Sequence, residues 1–284
     1  MIHSHGSDLF WLNQSKKLDW ERLTSKIFLK KNKKQIWFKN SKINLYKNLI
    51  EKNLNENPDK IFLYTIDKKN TVRAYSYRQI DILVDNFIFF LQNNRNKFNK
   101  IMIHSSASIY SAVSMLACCK IGKFFSVIFE DLPSKAIVNR LEIFRPDILI
   151  STKKLNLKLN KFFKINKLKI LEFKKFKLNC EKKNTIYKSK ILFGHNDFFC
   201  LFTSGSTGIP KGVVHSYGGY SVYAKYSCEN QFGMDKDSLV LTASDAGWIN
   251  GHTYALIGPL LNNSKTILLE TPLLLLRESN IKKI

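Results

Sequence analysis

Residues Thr203-Ser204-Gly205-Ser206-Thr207-Gly208-Ile209-Pro210-Lys211-Gly212 gather three glycines, four hydroxyls and one lysine directly after the apolar run Phe198–Phe202. A buried strand that ends in such a loop presents backbone N–H groups that no side chain shields. Glycine lets that backbone bend into a concave nest and approach an anion closely, while hydroxyls and an ammonium supply further donors. The chemistry suits a polyphosphate. A flexible Gly/Ser surface turn is the plain alternative, and the density of donors beside flanking strands favours phosphate binding over it.

The Walker arrangement needs Gly immediately before Lys, Ser or Thr immediately after, and a helix following. Here Pro210 precedes Lys211 and Gly212 follows it. Val213-Val214-His215 then reads as a strand. The loop is expected to join two strands as a hairpin, which disfavours a Walker-type ATPase.

The run Thr203 to His215, TSGSTGIPKGVVH, resembles the phosphate-binding signature of the adenylate-forming superfamily: acyl-CoA synthetases, luciferases and peptide-synthetase adenylation domains. Ala243-Ser244-Asp245-Ala246-Gly247-Trp248-Ile249-Asn250-Gly251-His252-Thr253-Tyr254, followed by Gly258-Pro259-Leu260, is similar to a second signature of the acetyl-CoA and propionyl-CoA synthetase branch. The similarity runs from about Phe10 to Pro272, with these two stretches its strong parts. Leu116 to Gly122 and Ser126 to Phe129 also resemble the short-chain enzymes, as a helix and strand beneath the active site.

The resemblance implies an AMP-forming acid–thiol ligase using ATP, Mg²⁺, CoA and a small carboxylic acid. It places Thr203, Ser204, Gly205, Ser206, Thr207, Gly208 and Lys211 on the β- and γ-phosphates. Trp248, Ile249 and Asn250 would line the acyl and CoA pocket. Asp245 and Gly247 read as residues that order the turn, Asp245 because its side chain can bond its own backbone two residues on. His252 reads as a packing or capping residue of the following helix.

Two departures accompany the match. Where short-chain synthetases place an Arg-Gly-Gly stretch that meets the nucleotide end of CoA, this chain has Ser151-Thr152-Lys153-Lys154-Leu155-Asn156-Leu157-Lys158. Lysine meets phosphate as a point charge and lacks arginine's planar fork. The later signatures of the family, including its mobile lysine-bearing C-terminal lid domain, do not follow. The expectation is therefore an N-terminal part of such an enzyme, complemented by a second chain or reduced to a non-catalytic nucleotide-binding remnant. The catalytic residue itself is unassigned.

The elements that must position these residues alternate between helical and strand patterns. Leu45, Leu49, Ile50 and Leu54 recur at helical spacing before Asn57-Pro58. Strands are expected at Ile61–Ile66, Lys100–His104, Phe124–Phe129, Asp147–Ile150, Phe198–Phe202 and Leu239–Thr242. Helices are expected at Tyr77–Leu91, Ile109–Ile121, Ser134–Phe144 and Tyr217–Cys228. Repeated β–α units imply an α/β fold of parallel-sheet layers with helices on both faces. The expected division is an aromatic-bearing extension over 1–45, a first α/β subdomain over 46–195, and a second over 196–284 carrying the loop.

Composition narrows the class. With 44% hydrophobic and 13% aromatic residues the chain is globular. No apolar run approaches the roughly eighteen residues of a membrane span, and the first ten residues lack a signal-peptide pattern, so the expected location is the cytoplasm. Five cysteines without a CxxC pair read as reduced thiols, and the six scattered histidines give no zinc site. Net charge is +24, and fourteen lysines against two glutamates lie between Lys153 and Lys190. A nucleic-acid-binding protein is the competing class this raises. The excess is nearly all lysine with abundant Asn and Ile, and no binding module accompanies it, so an AT-rich coding bias is the favoured account.

Overall fold

A computed structural model of the chain describes residues 5–31, 34–95, 97–155, 168–181, 185–203, 210–270 and 279. The N-terminal arm comprises helix α1 (His5–Ser15) and strands β1 (Trp20–Arg22), β2 (Phe28–Lys31), β3 (Lys34–Trp37) and β4 (Lys42–Ile43). Its aromatic residues act as anchors. Trp11 and Phe10 meet Tyr226 edge-on at 5.3 Å each, and Trp20 lies 5.0 Å from the buried Phe38.

A π-helical turn over Lys47–Glu51 runs into α2 (Lys52–Glu56). There follow β5 (Ile61–Ile66), β6 (Val72–Ser76), α3 (Tyr77–Asn94), β7 (Lys100–His104), α4 (Ile109–Ile121), β8 (Phe124–Ile128), α5 (Ser134–Phe144), β9 (Ile148–Ser151) and β10 (Lys169–Glu172). The start of α3 is set by a capping box, in which Ser76 accepts from the Gln79 N–H and Gln79 accepts from the Ser76 N–H. Ser108 and Ser111 repeat the device at α4. Gly122, at φ 62°, ends α4 in the left-handed conformation that releases the chain into β8.

The remaining elements are β11 (Leu192–Phe193), β12 (Asp197–Thr203), β13 (Lys211–Ser216), α6 (Tyr217–Phe232), β14 (Leu239–Leu241), α7 (Ile249–His252), a π-helical turn over Thr253–Ile257, α8 (Gly258–Leu261) and β15 (Lys265–Leu269). The principal sheet has the order β10-β9-β7-β8-β12-β13. All its neighbours are parallel except β12 and β13, which form an antiparallel pair. A second sheet runs β14-β15-β5-β6, parallel but for β6. A third, small antiparallel sheet joins β1, β4 and β11 and stitches the arm to the body.

Alternation along β7 shows why helices lie on both faces. Ile101 and Ile103 point into the main core with residues of α3 and α4, while Met102 joins the opposite cluster with Ile137, Leu141 and Phe144 of α5. The fold is thus α/β with parallel sheets, as the β–α alternation requires. Strands from both sides of residue 195 share each large sheet: β12 and β13 extend the one built by β7–β10, and β5 and β6 join β15. Among the described residues, no helix is long and apolar enough to cross a membrane, and all five cysteines are free.

One buried ionic cluster was not legible in the sequence. Lys120, near the end of α4, bonds Asp81 at 2.9 Å and also Asp85, both on α3. The Tyr46 hydroxyl donates to Asp81 at 2.8 Å. Burial, and secondarily the adjacent Asp81 charge, hold the Tyr46 phenol far above its ordinary value.

Candidate active site

β12 is a buried apolar strand, and β13 returns alongside it in a register that sets Thr203 opposite Lys211. Both residues are exposed at the mouth of the hairpin. Ser204, Gly205, Ser206, Thr207 and Gly208, the expected phosphate donors between them, lie outside the described residues. What the structure gives is their frame. Gly212, one residue past Lys211, packs so closely that a Cβ would stand 2.9 Å from the Cys200 sulfur.

The second signature lies beneath this hairpin. Asp245 Oδ1 accepts from the Gly247 N–H at 2.8 Å, and the Trp248 N–H donates to the Asp245 carbonyl at 3.1 Å. Burial raises the Asp245 carboxyl above its ordinary range, the Gly247 N–H opposes that shift, and the nearby Asp131 and Glu130 charges add to it. Two glycines make the turn possible by close approach. A Cβ on Gly247 would meet the Phe129 ring at 2.6 Å, and one on Gly251 would meet the Asp245 carbonyl oxygen at 2.1 Å.

The tight turn displays Trp248 (55% exposed) and Ile249 (39% exposed), with the Trp248 ring 5.2 Å from Phe129. His252 points the other way and is fully buried. Its ring lies parallel to Phe125 at 6.0 Å and 4.7 Å from Phe199 of β12, which also stacks on His215 of β13 at 4.7 Å. Phe199 therefore locks the turn to the hairpin. Thr203 is four steps further along the strand, so the mouth of the hairpin stands about 13 Å farther along.

Ile249 and Asn250 open onto a cleft of about 1070 Å³. Val214, His215 and Ser216 of β13 form one wall, Tyr220 and Tyr223 of α6 another, and Trp11 and Trp37 of the arm close it. Sequence reasoning marked the arm as an aromatic-bearing extension over 1–45 and gave its tryptophans no place at the cleft. It also gave no role to His215, whose imidazole is held neutral by burial below its ordinary pKa. Trp248 does not line this cleft.

On the side where CoA is expected, β8 and β9 end on either side of β7. Lys153 pairs with Asp131, and the buried Glu130 accepts from Lys68 at 2.6 Å and from the Thr152 hydroxyl at 3.1 Å. Lys153 is thus already matched to a carboxylate that local sequence patterns did not connect to it. Among the described residues, no three His, Cys, Asp or Glu side chains converge as ligands of one ion. No resident metal site is derived from this donor set.

Comparison with known proteins follows the same outline. The chain is 28% identical to an acetyl-coenzyme A synthetase of Magnetococcus marinus over 92% of its own length and 45% of that protein's. It matches one from a Marinomonas species at 28% over 93% and 46%. Among solved structures, the acetoacetyl-CoA synthetase from Streptomyces lividans superposes with a TM-score of 0.79 at 14% identity, covering 93% of this chain and 44% of that one, which shows the fold. The chain therefore spans less than half the length of the relatives it matches. The family description of AMP-binding enzymes matches residues 50–282, and the chain belongs to that family.

Proposed function

We propose that this chain forms the nucleotide-phosphate and acyl-holding part of a short-chain acyl-CoA synthetase. In the proposed reaction a carboxylate oxygen attacks the α-phosphorus of ATP and displaces pyrophosphate, giving an acyl-adenylate. The thiolate of CoA then attacks the acyl carbon and displaces AMP. Both first-step reactants are anions, so fixed donors that offset their repulsion and align them in line carry the catalytic burden.

In this reading Thr203, Ser204, Gly205, Ser206, Thr207, Gly208 and Lys211 hold the β- and γ-phosphates, the departing pyrophosphate. Trp248, Ile249 and Asn250 border the acyl and CoA side, and Asp245 with Gly247 fixes the turn that presents them. Mg²⁺ enters with the nucleotide. The part of the relatives' length that this chain does not span supplies the rest of the site. The observation that carries the reading is the packing of the signature turn through His252 against Phe199, on the strand that leads to the hairpin mouth.

The test is ATP–pyrophosphate exchange with acetate and with propionate, run with the chain alone and with a polypeptide covering the rest of the relatives' length. Exchange that requires both chains and falls at least tenfold in Lys211→Ala supports the reading. ATP binding without exchange in either setting would replace it with a non-catalytic nucleotide-binding protein.

A further inference from the structure

A second cleft, of about 630 Å³, lies at the end of the principal sheet opposite the hairpin. β7, β8 and β9 are mutually parallel and begin there, at Lys100, Phe124 and Ile148. β12, parallel to β8, runs away from that rim toward Thr203. Lys97, Lys123, Lys188 and Lys190 line the cleft, together with Asn99 and Tyr187.

The left-handed turn at Gly122 brings two of these lysines together. It directs Lys123 to the rim, and a Cβ on Gly122 would meet the Lys190 stem at 3.3 Å. The Lys190 N–H donates to the Lys120 carbonyl at 2.9 Å, which fixes its strand-like segment against the end of α4. Lys123 donates to Asn99 Oδ1 at 3.0 Å and sits over the Phe98 ring.

Asp147 is the one carboxylate lining this cleft among the described residues. It is committed elsewhere, since Oδ2 accepts the Asn99 and Lys100 N–H groups at 2.7 and 3.0 Å and Oδ1 lies 3.7 Å from Arg95. Four lysines thus line a concavity whose one carboxylate among the described residues already accepts two backbone N–H groups. Burial first, then the charge of Lys190, lowers the Lys123 pKa. Of the four, Lys123 and Lys190 are the pair that backbone geometry sets next to each other, through Gly122 and the Lys120 carbonyl.

We propose that this cleft is a binding site for a compact phosphate polyanion, either pyrophosphate or the phosphate chain of a nucleotide, separate from the hairpin. Lysines serve as point charges on phosphate oxygens, with Asn99 and Tyr187 as polar neighbours.

Isothermal titration of the full chain with inorganic pyrophosphate, at fixed ionic strength and in a Lys211→Ala background, tests it. Replacing Lys123 and Lys190 together by Gln should weaken binding about tenfold or more, as expected for the loss of two charged hydrogen-bond donors. The control pair Lys169→Gln and Lys236→Gln removes the same charge from exposed positions elsewhere and should leave affinity within twofold. Equal weakening by both pairs would show a delocalised effect of net charge and overturn the proposal, as would absence of binding. Competition by ATP at lower concentration than pyrophosphate assigns the site to nucleotides, and the reverse order to free pyrophosphate. Displacement by a short oligonucleotide at lower phosphate concentration than either would make the cleft a nucleic-acid contact and also overturn the proposal.

Discussion

Acidifying the protein should weaken it through His252, by an amount the structure fixes. The imidazole is fully buried between Phe125 and Phe199, its Nδ1 lies 3.3 Å from the Trp248 carbonyl, and among the described residues no atom stands within ordinary hydrogen-bond geometry of its Nε2. Burial, the largest cause, lowers its pKa from 6.5 to about 4. Because the folded value lies below the unfolded one, the unfolded chain takes up the proton first. The contribution to stability is therefore full above about pH 6.5 and is lost as pH falls toward 4. Linkage between those two values gives a loss of about 2 kcal/mol between pH 7 and pH 5. His104 and His215 titrate with the same sign, and the raised carboxyls of Asp245 and Glu270 with the opposite one. The informative quantity is thus a difference between variants. Urea unfolding of wild type and His252→Leu, followed by tryptophan fluorescence at both pH values, isolates the one group. Wild type should lose about 2 kcal/mol more than the variant over this interval. Equal losses would show that His252 takes up no proton on unfolding, and the assignment of the turn's anchor as a neutral buried imidazole would be wrong.

Three further outcomes follow from packing and capping. Lys120→Met removes the cation that Asp81 and Asp85 share in the core, and urea unfolding should show a loss of about 3–5 kcal/mol, partly restored when both aspartates are also made apolar. Gly251→Ala drives a Cβ into the Asp245 carbonyl, so it should cost about 1–3 kcal/mol and shift the emission of the exposed Trp248, whereas Gly233→Ala, with open space around it, should leave that emission unchanged. Ser108→Ala deletes the cap of α4 and should lower stability by about 1 kcal/mol in the same assay.

Element positions were largely readable because each is written in its own residues. Apolar spacing marks the helix over Ile109–Ile121, and Gly122 ends it; Pro133 precedes the helix at Ser134, and a short apolar run marks Lys100–His104. The hairpin was readable for the same reason, since Pro210 stands where a Walker loop needs Gly and Val213-Val214-His215 favours a return strand. Sheet membership was not readable. β5 finds β15 across about two hundred residues, and no local pattern records which distant strand shares its ladder. Extending a helix or strand pattern along the chain therefore gives elements in order without giving their neighbours.

The site divides along the same line. Asp245 and Gly247 sit two residues apart, so the bond between them follows from local chemistry. Lys153 and Asp131 meet only because β8 and β9 end at the same edge of one sheet, and nothing near either residue predicts the pair. Lys120 reads as an ordinary solvated lysine until α3 brings two aspartates onto it from more than thirty residues away. His252 is the instructive intermediate: its place in the signature turn is sequence information, whereas its neutrality depends on rings contributed by β8 and β12. Since those rings also tie the turn to the strand preceding the loop, whatever protonates or displaces His252 should disturb the spacing between the Trp248–Asn250 turn and Thr203 and Lys211, and with it the proposed function. A variant that loosened the turn while leaving the hairpin's nucleotide affinity and acid selectivity both intact would break that link.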